Sequence, residues 1–271
     1  MNKYFLTPLR QRFSTIWVSQ EQLDIWMESW NYFFILGFGR SGTAFMANLL
    51  NHSPGAYVFH EPVIEDFYAH VQAHYSPQKA IRYIRGFRKR EIYTRTCHLF
   101  PGIYGEVNGA LRCHAGAIKE VLPRATLIHL VRDGRDVIRS HMSRRTMTIK
   151  HPLSISIHPT KLDPWKTNWN KMDRFSKICW SWQEENARLR KTVGRLVQFE
   201  RILSSYDYFY NEVLEPCSIF IDKKDWEMAI STPRNTTSNF KMPRWEDWSH
   251  AQQMRFNEIC GEEMRNCGYD K

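Results

Sequence analysis

The chain has no run approaching the roughly 20 apolar residues that a membrane span needs. Its first 13 residues, MNKYFLTPLRQRF, hold no apolar stretch of signal-peptide length, which points to a cytoplasmic protein that makes no membrane contact. Six cysteines are present (Cys97, Cys113, Cys179, Cys217, Cys260 and Cys267), yet none forms a CxxC pair and none shares zinc-like spacing with histidines. A disulfide scaffold is uncommon at 271 residues, so thiols in a reducing compartment are expected. Internal repeats, low-complexity tracts and Gly/Ser linkers are also missing, so the expectation is a single domain over residues 1–271. What is plentiful is core-forming material, with 42% hydrophobic and 14% aromatic residues, and positive charge, with a net +10. The basic surplus suits an anionic partner without choosing among nucleotide, acidic glycan, nucleic acid and membrane surface.

Apolar patterning divides the chain into strands and helices in alternation. Ser19 with Gln22 reads as a capping box opening a helix through Trp26 and Met27. Tyr32 to Leu36 is short, aromatic and closed by Gly37, which predicts a buried strand; Gly39 to Thr43 then turn into a helix carrying Ala44, Phe45, Met46, Leu49 and Leu50. Tyr57 to Phe59 predict a second strand, ending at His60-Glu61-Pro62. Residues 76–95 predict a basic helix. Thr126 to Val131, Arg132 to Arg135 and Asp136 to Arg144 predict a second strand–turn–helix unit. Residues 145–172 read as a long excursion, 173–192 as a helix, Leu196 to Phe199 as a strand, and the C-terminus as loop followed by helix. Such alternation implies a three-layer α/β fold around a parallel sheet, with ligands taken at the carboxyl ends of the strands.

Two loops carry the chemistry. Gly37-Phe38-Gly39-Arg40-Ser41-Gly42-Thr43 joins a strand to a helix, where glycines let backbone amides turn toward an anion and the helix N-terminus adds partial positive charge. Gly37 and Gly42 have P-loop spacing, but the Lys that should follow Gly42 is missing, since Thr43 and Ala44 stand there. No acidic strand end is placed to hold magnesium. In the second loop Arg132 ends a strand and Ser140 follows eight residues later. An Arg fork and a Ser hydroxyl so spaced can converge on one phosphate. The competing reading is a salt-bridged turn in which Arg132, Asp133, Arg135 and Asp136 pair among themselves.

Taken together, Arg40-Ser41-Gly42-Thr43 and Arg132 with Ser140 resemble the paired donor-binding signatures of the sulfotransferase family. Phe199-Glu200-Arg201-Ile202-Leu203 is similar to that family's Tyr-Glu-Asp-Leu segment, and Cys267-Gly268-Tyr269 to its Leu-Gly-Tyr close. The resemblance spans roughly residues 32 to 269. It implies a P-loop NTPase-like sulfotransferase fold. It also implies a sulfuryl donor, 3′-phosphoadenosine 5′-phosphosulfate, held at its 5′ end by Gly39, Arg40, Ser41, Gly42, Thr43 and Ala44, at its 3′-phosphate by Arg132 and Ser140, and beside Phe199. Arg40 stands where many members carry Lys, and Phe199 where they carry Tyr, so a contact by that phenol is lost.

Sulfuryl transfer calls for in-line placement, charge stabilisation on the leaving phosphate and a base for the acceptor proton. Arg40 is the candidate for the leaving group; Glu61, with His60 second, is the candidate base, and Glu106 a weaker one. The acceptor expected is a hydroxyl or amine on a small molecule or saccharide, in a reaction that needs no metal. A P-loop kinase is the alternative enzyme and a basic nucleic-acid-binding module the non-enzymatic one, although no RNA-binding aromatic signature supports the latter. Lys79, Arg82, Arg85, Arg88, Lys89 and Arg90 read first as a solvated helix face, second as a dock for an acidic acceptor and third as a nucleic-acid patch. Trp165, Trp169, Trp180 and Trp182 read either as core or as walls of an acceptor pocket.

Overall fold

The structure, a computed structural model, describes residues 18–148, 157–232 and 239–269. Parts of the predicted 145–172 excursion and the N-terminal 13 residues lie outside them. Five strands, β1 (Asn31–Gly37), β2 (Ala56–His60), β3 (Ile103–Val107), β4 (Thr126–Val131) and β5 (Leu196–Gln198), form one sheet in the order β2-β3-β1-β4-β5. Every pairing is parallel. Parallel neighbours need helical crossovers, and those crossovers cover both faces. The pleat of β1 shows the division. Phe33 and Ile35 enter one core with Met46, Leu49, Leu50, Val197 and Ile202, whereas Tyr32, Phe34 and Leu36 enter another with Ala73, Ile84, Ile118 and Leu189. The result is the three-layer α/β architecture with a central parallel sheet that the alternating pattern implies.

Helices α1 (Gln20–Glu28), α2 (Thr43–Leu50) and α3 (Glu65–Tyr75) come first. The capping box is present at α1, where the Ser19 hydroxyl accepts from the Gln22 amide and the Gln22 side chain from the Ser19 amide. Helix α4 starts as Pro77–Arg82, widens to π geometry over Tyr83–Arg88 and closes with Lys89–Thr96. That widening breaks the three-residue spacing that would have kept all the basic residues on one face. Lys79, Arg82 and Arg85 are exposed, but Arg88 and Lys89 turn inward. Arg88 pairs with Asp66 and Glu106, and Lys89 with Asp24. Helices α5 (Ala115–Val121), α6 (Gly134–Met142), α7 (Arg174–Val193), α8 (Phe199–Ser204) and α9 (His250–Asn266) complete the elements used below. Phe199 opens α8 rather than ending β5, because the strand keeps its pairing with β4 only as far as Gln198.

The tryptophans settle into the core. Trp169, Trp180 and Trp182 are buried beside Val137, Ile138 and Phe256, and Trp180 donates to Asp163. Trp165 is half-buried with the Arg255 guanidinium over its ring. None of the four lines the cleft described next. All six cysteines are free thiols, and among the described residues no helix is long and apolar enough to cross a membrane.

Candidate active site

A cleft of about 1060 Å³ opens at the carboxyl ends of β1, β2 and β4. That lies at the upper end of the range for small-molecule sites, roughly 300–1,000 Å³. Its walls include Gly39, Arg40, Gly42, Thr43 and Ala44 from the first loop, His60 and Glu61 from the exit of β2, Arg132 and Ser140 from the second loop, and Phe199.

The first loop is shaped by two left-handed residues, Arg40 at φ 71° and Gly42 at φ 90°. The second position requires glycine, because a Cβ there would lie 2.2 Å from the Phe199 ring. Gly42 caps α2 without a side-chain acceptor, and the first intrahelical bond runs from the Met46 amide to the Gly42 carbonyl. The amides of Thr43, Ala44 and Phe45 therefore have no acceptor within the helix and point with the helix dipole toward the cleft. Ser41 behaves differently from its neighbours. It is fully buried, its amide donates to the Phe38 carbonyl, and its hydroxyl has no hydrogen-bond partner.

The two motifs meet. Arg40 Nε donates to Ser140 Oγ at 3.0 Å across 100 residues of sequence. Arg132 Nη1 donates to the Arg40 carbonyl at 3.4 Å, and the Arg132 guanidinium lies over the Phe199 ring, 5.6 Å from its centroid. Burial, with Arg144 and Arg132 nearby, lowers the pKa of Arg40, although a guanidinium remains charged at any physiological pH. The salt-bridged turn exists as well. Arg132 Nη2 pairs with Asp136 at 3.0 Å and Arg135 with Asp133 at 2.6 Å. Asp136 thus occupies one guanidinium nitrogen of Arg132.

At the exit of β2, His60 Nε2 lies 3.0 Å from Thr43 Oγ1 of the first loop. Glu61 follows it in a left-handed conformation (φ 43°), and its Oε1 accepts from the Gly109 amide at 3.2 Å. A non-glycine residue held there costs of order 1 kcal/mol or more, so such positions concentrate where geometry is under selection. Glu106 is elsewhere. It is fully buried, bonded to Arg88, Tyr104 and Asn108, and is sealed from the cleft that it would have to serve as a base.

The two weaker sequence signals also converge. Glu200 accepts from the Asp133 amide at 3.1 Å and from the Tyr269 hydroxyl at 2.6 Å, tying the C-terminus to the second loop. Sequence reasoning missed several lining residues. Arg135 and Arg139 lie three and seven residues after Arg132, which is helical spacing and a usable signal. Phe240, Arg244 and Trp245 carried no signal, since they reach the cleft from a loop about 100 residues away, with Arg139 against Phe240 and Arg135 against Trp245.

No protein-family model matches the chain, and no curated protein matches its sequence. Among solved structures, the chain is similar to a sulfotransferase from Alicyclobacillus acidocaldarius, with 13% identity, a TM-score of 0.41 and coverage of 89% of this chain and 97% of that one. It is also similar to the sulfotransferase STF1 from Mycobacterium tuberculosis H37Rv, with 13% identity, a TM-score of 0.43 and coverage of 93% and 84% respectively.

Proposed function

We propose that the cleft transfers a sulfuryl group from 3′-phosphoadenosine 5′-phosphosulfate to a hydroxyl or amine of a small-molecule or saccharide acceptor. The observation that supports this most is the Arg40–Ser140 hydrogen bond, which makes two anion-binding motifs, distant in sequence, into one wall. The residues suit the donor. Free amides at the start of α2 and the Arg40 guanidinium fit a 5′-phosphosulfate, and the orphaned Ser41 hydroxyl next to them is a buried donor in search of an acceptor. Arg132 and Ser140 fit a separate phosphate at the 3′ position, with the Phe199 face beside them.

In this reading the acceptor oxygen or nitrogen forms a bond to sulfur while the bond from sulfur to the bridging phosphate oxygen breaks. Arg40 stabilises the charge gathering on the leaving phosphate, and no metal is needed for that role. Glu61 takes the acceptor proton. It lines the same cleft as Arg40, and the Gly109 amide holds one of its oxygens, which leaves the other for the acceptor proton. His60, bonded to Thr43, links the base to the donor loop.

The test is transfer from labelled donor to a panel of hydroxyl and amine acceptors, scored by mass gain, with excess EDTA present. Glu61→Gln keeps the shape and removes the basicity, and is expected to lower kcat at least about 100-fold with the donor KM nearly unchanged. A near-native rate in that variant removes Glu61 from the role, and a strict magnesium requirement returns the choice to a kinase.

A further inference from the structure

The first loop is fastened by a residue that belongs to neither anion-binding motif. His141 follows Ser140 on α6 and is 8% exposed. Its Nε2 lies 3.0 Å from the Gly39 carbonyl oxygen. A carbonyl only accepts, so Nε2 carries the proton and Nδ1 is left bare. The Thr146 hydroxyl, 3.0 Å from Nδ1, is then the donor that completes this tautomer. The ring meets Phe38 edge-on at 5.1 Å, and a Cβ placed on Gly39 would lie 3.4 Å from it, so the imidazole fills the space directly behind the loop.

The position of these bonds matters more than their number. Arg40 is a left-handed non-glycine residue whose backbone is costly to hold. The peptide plane before it is gripped through the Gly39 carbonyl by His141, and the plane after it through the Arg40 carbonyl by Arg132. With both planes held, the Cα–Cβ direction of Arg40 is set, and from there its Nε reaches Ser140 at the wall of the cleft. We propose that His141 is the positioning residue of this loop: by holding the Gly39 carbonyl it fixes the left-handed turn at Arg40 and so aims the guanidinium at Ser140 and the bound anion. Burial, with Arg40, Arg112 and Arg174 close by, keeps the imidazole pKa down at about 4 against the opposing pull of the Gly39 bond. The neutral tautomer that the clamp requires is therefore the form present near neutral pH. What the clamp does for ligand binding rests on the function proposed above; the clamp itself does not.

Gln and Met are close in shape, and only Gln can donate from the place that Nε2 occupies. Hydrogen–deuterium exchange on the full chain without ligand therefore separates the bond from the packing. His141→Met is expected to speed exchange of the hydrogen-bonded amides of this loop, Ser41 and Met46, about three- to tenfold, the scale of one lost neutral hydrogen bond, with β4 and α7 unchanged; His141→Gln is expected to stay near wild type. Should His141→Met fail to fold, Thr146→Val removes the donor that holds Nδ1 and frees the ring to turn from Gly39, and a smaller rise in the same amides is expected. Unchanged loop exchange, or equal acceleration in the Gln and Met variants, overturns the proposal. Calorimetry with 3′-phosphoadenosine 5′-phosphate adds the functional arm, in which only the Met variant weakens binding, by a similar factor. Failure of that nucleotide to bind wild type refutes the donor reading and leaves the exchange data to judge the clamp.

Discussion

At the scale of single residues, three backbone conformations do most to shape the cleft. Arg40, Gly42 and Glu61 all have positive φ, and all line it. Gly42 was legible as a glycine in a phosphate-type loop, but its requirement for Phe199 was not, because the ring arrives from 157 residues further along. Gly42→Ala adds a Cβ in a region where L residues are strained and forces it into that ring. The expected outcome is a loss of about 1–3 kcal/mol in stability and at least a tenfold loss of nucleotide affinity, with the circular-dichroism spectrum kept. Thermal melts and calorimetry on the one variant read both, and unchanged affinity would show that the loop does not cradle the ligand. Glu61 and His60 were legible as polar residues at a strand exit. The left-handed turn and the Gly109 contact that aim the carboxylate were not, since neither leaves a trace in local sequence.

At the scale of elements, β1, β2 and β4 and the helices that follow the two loops could be read directly, because strands of aromatic and β-branched residues bounded by glycine or by Arg-Asp-Gly stand out against helical spacing. Helix α3 and the π segment of α4 could not. The basic face predicted for residues 76–95 dissolves once the π turn carries Arg88 inward, between Asp66 of α3 and Glu106 of β3. Asn108 completes this buried cluster by donating to both carboxylates while its own oxygen accepts from the Ala110 and Leu111 amides. Since Glu61 lies just before α3 and its partner Gly109 just after Asn108, the cluster is joined through the chain to the segments that carry Glu61 and Gly109. Arg88→Met strands two carboxylates without their cation and is expected to cost about 3–5 kcal/mol, read from urea denaturation. Replacing Arg88, Asp66 and Glu106 together with apolar residues of similar size is expected to recover much of that loss. A single Arg88→Met variant of wild-type stability would mean that the cluster contributes little to folding.

At the scale of the whole molecule, buried histidines tie stability to pH. Burial lowers His74, His129 and His141 to about 4, His114 to about 3 and His70 well below its ordinary value of 6.5. The unfolded chain therefore binds more protons than the folded one below 6.5, and stability present above that pH is lost as pH falls toward 4. Each histidine contributes a slope of up to about 1.4 kcal/mol per pH unit within the window. Asp66 acts in the opposite sense. Burial raises it to about 6, so its contribution is full below 3.8 and lost as pH rises through 6. One carboxyl against five imidazoles leaves the histidines dominant, and the urea midpoint is expected to fall steadily from pH 7 to pH 5. A midpoint that holds or rises toward acid contradicts the assignment. Arg40, Ser140 and Arg132 meet in the cleft, and the central proposal is that together they bind the donor's phosphates. The most direct test is calorimetry of 3′-phosphoadenosine 5′-phosphate against adenosine 5′-monophosphate. The account predicts at least about tenfold tighter binding of the bisphosphate, with the preference lost in Arg132→Ala, on the scale of a charge-assisted hydrogen bond. Equal affinity for the two nucleotides would contradict it.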